Sequence, residues 1–179
     1  NEFRSAQYER IISRIYKYGN SSLISEKIQD IFDYNIHLHP DYNILKYDSL
    51  KPFIWIGRGN PYRWITIHKS NKNIFKSSMT AWPEIVKIYF ETLPSINISE
   101  NFRIVETLNY NNKKRHIMRG IYEHKESDSG GPFFVYIFDN ESENEVILVS
   151  GFVNYPGHEK LLLLKQLEVI AFTIHKGEI

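Results

Sequence analysis

The chain has 179 residues with 42% hydrophobic and 24% charged side chains, the proportions of one folded domain able to bury a core. It contains no cysteine, which excludes a disulfide framework, a thiolate metal site and a cysteine nucleophile. The 22 basic and 21 acidic side chains are mixed along the sequence, so no concentrated basic surface offers itself to nucleic acid.

The expected elements run as follows. Phe3, Ala6, Tyr8, Ile11, Ile12 and Ile15 repeat near the helical period and predict a helix over 2–17. Gly19-Asn20-Ser21-Ser22 stops it, and Ser22 or Ser25 caps a second helix running to about residue 33. Ile36 and Leu38 then alternate with His37 and His39, a strand pattern. Phe53–Ile56 and Trp64–His68 are rich in β-branched and aromatic residues and read as strands, with a turn at Gly57–Pro61 between them. A helix over 83–93 follows, with Pro83 in its first turn and Pro94 beyond its end.

The second half repeats this order. Strands are expected at 102–108, 116–124, 133–138 and 146–153, with hairpin turns at 109–114 and 139–145. Leu163, Leu164, Leu167, Ile170, Ala171 and Ile174 give a long C-terminal helix over 158–175. The composite is an α+β chain of one domain, 1–179. An antiparallel sheet carries helices on one or both faces, with two helices before it. No apolar run is long enough to span a bilayer. The chain opens on Asn1 rather than Met, so a preceding segment is expected, and this domain is read as the C-terminal part of a longer protein.

Several motifs invite a chemical reading. Asp128-Ser129-Gly130-Gly131-Pro132 matches the tail of the trypsin-like serine signature, but Ser127 stands where that signature has Gly, and no histidine has the expected context. The better reading is structural: Gly130 and Gly131 supply positive-φ residues of a turn, and Pro132 opens a strand. No catalytic residue is therefore assigned. His37 and His39 would project from one face of a strand as a metal half-site, needing His68, His124 or Glu123 as a third ligand, and no metal is assigned either. A hydrolase or metal-dependent enzyme using Ser129 or the His37/His39 pair is the alternative to a binding module.

Arg58, Arg63 and Arg119 are the better candidates. A guanidinium on a sheet must be exposed or paired, and its fork suits a carboxylate, from a ligand or from Glu106, Glu123 or Glu168. Trp55, Trp64 and Trp82, with nearby Tyr42, Tyr47 and Tyr62, are candidate parts of an aromatic platform for sugar or peptide, with core packing as the competing role.

Met118-Arg119-Gly120, Gly130-Gly131-Pro132-Phe133, Ser150-Gly151-Phe152-Val153-Asn154-Tyr155-Pro156 and Lys165-Gln166-Leu167-Glu168 follow in one order. Pro40-Asp41-Tyr42, Phe53-Ile54-Trp55-Ile56 and Arg58 precede them. Together these resemble domain-of-unknown-function family 4837, envelope lipoproteins of Bacteroidetes-type bacteria. A weaker fold likeness is to PsbP-like α/β sandwiches. The resemblance implies a setting in the cell envelope, periplasmic or anchored to the outer membrane by a lipid upstream of this chain, and no mechanism, because the family has no established activity. Taken with the residues, the reading is a non-catalytic domain that binds a protein partner or small ligand and uses no cofactor.

Overall fold

The computed structural model describes residues 2–15, 17, 19–72, 78–110, 113–139 and 144–177. Helices α1 (Glu2–Ile15) and α2 (Ser22–Phe32) precede β1 (Tyr34–Asn35), β2 (Asn43–Asp48), β3 (Phe53–Arg58) and β4 (Tyr62–Asn71). Helix α3 (Ser78–Thr92) leads to β5 (Ile96–Tyr110), β6 (Lys113–His124), β7 (Gly130–Asp139) and β8 (Glu145–Asn154). Helix α4 (Leu161–Phe172) and β9 (His175–Lys176) complete the order. Strands β2-β3-β4-β8-β7-β6-β5 form one antiparallel sheet, while β1 pairs with β9. The α+β class is as expected from the sequence.

One pairing holds the sheet together. β4 lies against β8 from Tyr62↔Asn154 to Asn71↔Glu145, joining an N-terminal three-strand meander to a C-terminal four-strand one. Both strands are therefore central and buried on two sides, and their near-continuous apolar runs follow from that. Successive side chains point to opposite faces. Ile147, Val149 and Val153 join a core formed with α2 and α4; Val146, Leu148 and Phe152 join another formed with α3. Helix α4 lies across β8, β7 and β4, and α1 packs against α4.

The α3 side encloses a small polar network. The Tyr89 hydroxyl donates to Ser150, and Thr92 donates to the Ile88 carbonyl at 2.7 Å. With its one proton so used, Thr92 accepts from His68 Nε2 at 3.2 Å, which fixes the neutral tautomer. Burial pushes the His68 imidazole down to about 3.

The structure corrects several boundaries. Residues 36–39 are not a strand. The Leu38 N–H donates to the Asn20 side chain and the His37 N–H to Thr173, so side chains supply the bonds that a ladder would have made. The helix expected from Pro83 begins at Ser78 and runs through it. The C-terminal helix spans only Leu161–Phe172, because Thr173 leads the chain into β9. Strand β2 was not expected at all. The turn placed at Gly130-Gly131-Pro132 lies earlier, at 125–129; those three residues begin β7, and neither glycine has positive φ. Glycine is required there for proximity. A Cβ on Gly130 would strike the Tyr122 carbonyl oxygen, and one on Gly131 that of Val153. The expected turn residues at 111–112 and 140–143 lie outside the described residues.

Two outcomes are expected. Gly130→Val should cost about 2 kcal/mol or more in urea unfolding, against under about 1 kcal/mol for Ser129→Ala; equal losses would contradict the close approach. His68 has a folded pKa below its unfolded value, so its contribution to stability is full above about pH 6.5 and is lost as pH falls toward 3. Between pH 7 and pH 5 this amounts to about 2 kcal/mol, and His68→Phe should flatten the pH profile by that amount. An unchanged profile would show that His68 is not buried neutral.

Candidate anion-binding site

The five candidate side chains divide between the two faces of the sheet. Arg58 lies two residues after Ile56, Arg63 two before Ile65, and Arg119 two after Ile117, and all three isoleucines belong to the α4-side core. The three arginines thus share that face. Trp64 belongs to the α3-side core, and Trp55 packs against it half-buried. Trp64 stacks on Phe152 at 5.7 Å between ring centres and meets Trp55 at 6.4 Å. The indole N–H groups of Trp55 and Trp64 are enclosed without an acceptor among the described residues. The structure therefore does not bring the tryptophans to the arginines.

Arg119 is held by the chain itself. Its Nη1 donates to Glu106 of β5, while Nη2 and Nε reach Glu168 of α4 at 2.6 and 3.1 Å. Glu168 is 3% exposed and Arg119 half-buried, so their ion pair crosses the sheet–helix interface partly shielded from water. One guanidinium here serves two carboxylates.

The other two arginines have the opposite balance. They face each other across the β3–β4 hairpin, Arg58 opposite Arg63, which brings two guanidinium-bearing side chains side by side. Arg58 Nη2 donates to Asp41 at 3.0 Å, and its guanidinium carbon lies 5.7 Å from the Tyr42 ring centre. Arg63 is 8% exposed, and its Nη1 donates to the neutral amide oxygen of Gln166 on α4. Its Nε has no acceptor, and no carboxylate pairs with it among the described residues. Burial, and after it the neighbouring Arg58, depress the Arg63 guanidinium below its usual range, with Tyr42 and Asp41 acting the other way. Burial pushes the Tyr42 phenol up to about 12, so near neutral pH it carries no charge, and its effect on Arg63 arises only where the phenol ionises. The two adjacent cations thus have one carboxylate between them, bonded to Arg58 alone, and Asp41 is 56% exposed. Such an arrangement suits an anion with two hydrogen-bond acceptors.

Gln166 and Asp41 are not singled out as site residues by sequence reasoning, although both lie inside the ordered motifs, and Tyr42 is named there only as a neighbour of the aromatic platform. Helical spacing does carry the signal. Gln166 and Glu168 flank the buried Leu167, so both border the surface that α4 lays on the sheet.

The remaining motifs are placed elsewhere. The Ser129 hydroxyl lies 2.8 Å from that of Ser127, and the Ser129 carbonyl accepts the His124 N–H at 2.8 Å. The His124 ring packs on Tyr122 and Trp64. His39 Nδ1 accepts the Asp41 N–H at 3.2 Å, and burial followed by His175 lowers the His37 imidazole. Among the described residues no three His, Cys, Asp or Glu side chains gather as a metal site.

Comparison with known proteins adds a family and a fold. None of the curated proteins matches the sequence. The Ran-binding protein Mog1p of Saccharomyces cerevisiae is similar in fold, with a TM-score of 0.55 at 8% identity over 80% of this chain and 90% of Mog1p. A Bacteroides thetaiotaomicron structure aligns with a TM-score of 0.47 at 9% identity over 81% of this chain; the match spans 45% of that protein. LpqN of Mycobacterium tuberculosis, described as involved in cell envelope biogenesis, aligns with a TM-score of 0.41 at 11% identity over 79% of this chain and 81% of its own. The model of a domain of unknown function, DUF4837, matches residues 21–173, and the chain belongs to that family.

Proposed function

We propose that this chain is a non-catalytic binding domain, 1–179, of a larger cell-envelope lipoprotein, and that it holds a ligand or protein partner through an anionic group at Arg58 and Arg63. The envelope setting, with a lipid anchor upstream, rests on family membership. No helix among the described residues is long and apolar enough to cross a membrane. The observation that carries the binding reading is Arg63, a buried cation whose protein partner is a neutral amide. Removing a guanidinium from water costs several kcal/mol unless a counter-charge compensates, and the neighbouring Arg58 adds to that cost. A fold keeps such a residue at the expense of stability when a ligand uses it. The non-catalytic part of the reading is supported by the most strongly shifted groups. His68, Tyr89 and Tyr122 are buried on the α3 side of the sheet, on the face opposite the arginines.

Thermal unfolding with acetate at constant ionic strength, in the wild type and in Arg63→Met, tests the reading. The wild type should gain stability with acetate, about 2.7 kcal/mol at a hundred times the dissociation constant, and Arg63→Met should gain none. Without acetate, Arg63→Met should be neutral or up to about 2 kcal/mol more stable than the wild type. A loss of about 3 kcal/mol, with no acetate response in the wild type, would make Arg63 a purely structural residue.

A further inference from the structure

We infer that Asp41 sets the charge of the anion that the Arg58–Arg63 pair accepts, restricting it to a singly charged carboxylate. The inference rests on the anion-binding reading above and adds a specificity-determining residue to it. The charge count carries the argument. Arg58 and Arg63 contribute two positive charges, Gln166 and Tyr42 contribute none, and Asp41 contributes one negative charge at 3.0 Å from Arg58. One positive charge is left over, centred on the more buried of the two arginines. A carboxylate neutralises it, and its two oxygens match the guanidinium fork. A sulfate or a phosphate dianion would bring a second negative charge beside Asp41 in a region partly closed to solvent, where like charges repel strongly.

Asp41 is built into position. Its N–H donates to His39 Nδ1 at 3.2 Å. The next residue, Tyr42, donates its N–H to the His39 carbonyl at 3.2 Å, and its buried ring anchors the turn in the core. Asn43 Nδ2 donates to the Asp41 carbonyl at 3.4 Å. The carboxylate is therefore delivered to Arg58 by a bonded turn, while its outer side faces solvent.

Titration of the wild type, Asp41→Asn and Asp41→Glu with acetate and with sulfate at fixed ionic strength tests this. The wild type should prefer acetate. Asp41→Asn should raise sulfate affinity by roughly 10-fold or more, and acetate affinity by less, reversing the preference. Asp41→Glu keeps the charge and should keep the acetate preference. An unchanged acetate-to-sulfate ratio in Asp41→Asn would overturn the inference, as would loss of both anions from a variant with wild-type melting temperature. If neither anion bound any of the three proteins, the anion-binding reading itself would fall. A short peptide with a free C-terminus, run beside its C-terminally amidated form, separates a peptide carboxylate from a small organic acid. Tighter binding of the free peptide than of acetate favours the peptide, equal affinity favours the small acid, and both support a carboxylate. Equal binding by the amidated form would contradict it.

Discussion

A sheet covered on both faces leaves a charged side chain on a central strand little access to water. It must meet a counter-charge, or the fold must carry the cost of its desolvation. The pairing of β4 with β8 imposes this constraint, because it places both strands in the middle of seven. On the α4 side the constraint is met in two ways. Arg119 bridges β5 and α4 through Glu106 and Glu168. Arg63 sits on β4 under the same helix and is answered by Gln166, an amide. The two arginines meet residues two apart on one helix, yet one has two carboxylates and the other none among the described residues. That asymmetry separates a structural ion pair from a candidate binding site.

The α3 side obeys the same constraint with neutral groups. Tyr89 and Ser150 satisfy each other, and His68 stays uncharged beside Thr92 while its ring lies 4.6 Å from that of Phe53. Glycine fits this layer through close packing: a Cβ on Gly120 would collide with Trp82 and Phe133. Large aromatic side chains fill the space, which accounts for part of the chain's high aromatic content and for Trp64 being core. The arginines with their partners lie on the other face, where residues of the ordered sequence motifs meet. Asp41 reaches Arg58, Gln166 reaches Arg63, and Glu168 reaches Arg119.

Much of the fold was legible because the burial pattern is written directly in the strands. Phe133–Phe138 and Val146–Val153 read as strands through their β-branched and aromatic content, and they are strands. Strand β2 was invisible because it is an edge strand whose residues are mostly exposed, so no alternating signal reaches the sequence. Residues 36–39 failed in the opposite way. Ile36 and Leu38 are buried, and His37 and His39, which alternate with them, are less so, which gives strand-like alternation to an extended segment bonded by side chains. Arg58, Arg63 and Arg119 could be picked out individually, whereas their balance of counter-charges depends on residues brought from α4 and β5. Parity along the strands nonetheless separates the arginines from the tryptophans. Arg63 and Trp64 are adjacent, and Trp55 and Arg58 are three apart, so each pair must face opposite ways.

The central claim is that Arg63 and Arg58 are held for an anion and Arg119 is not. The most direct measurement is NMR of the three arginine Nε–H groups during an acetate titration. The Arg58 and Arg63 signals should shift along one saturable curve while Arg119, committed to Glu106 and Glu168, stays in place. Three signals that drift together without saturation, or an Arg119 signal that moves while Arg63 does not, would contradict the account.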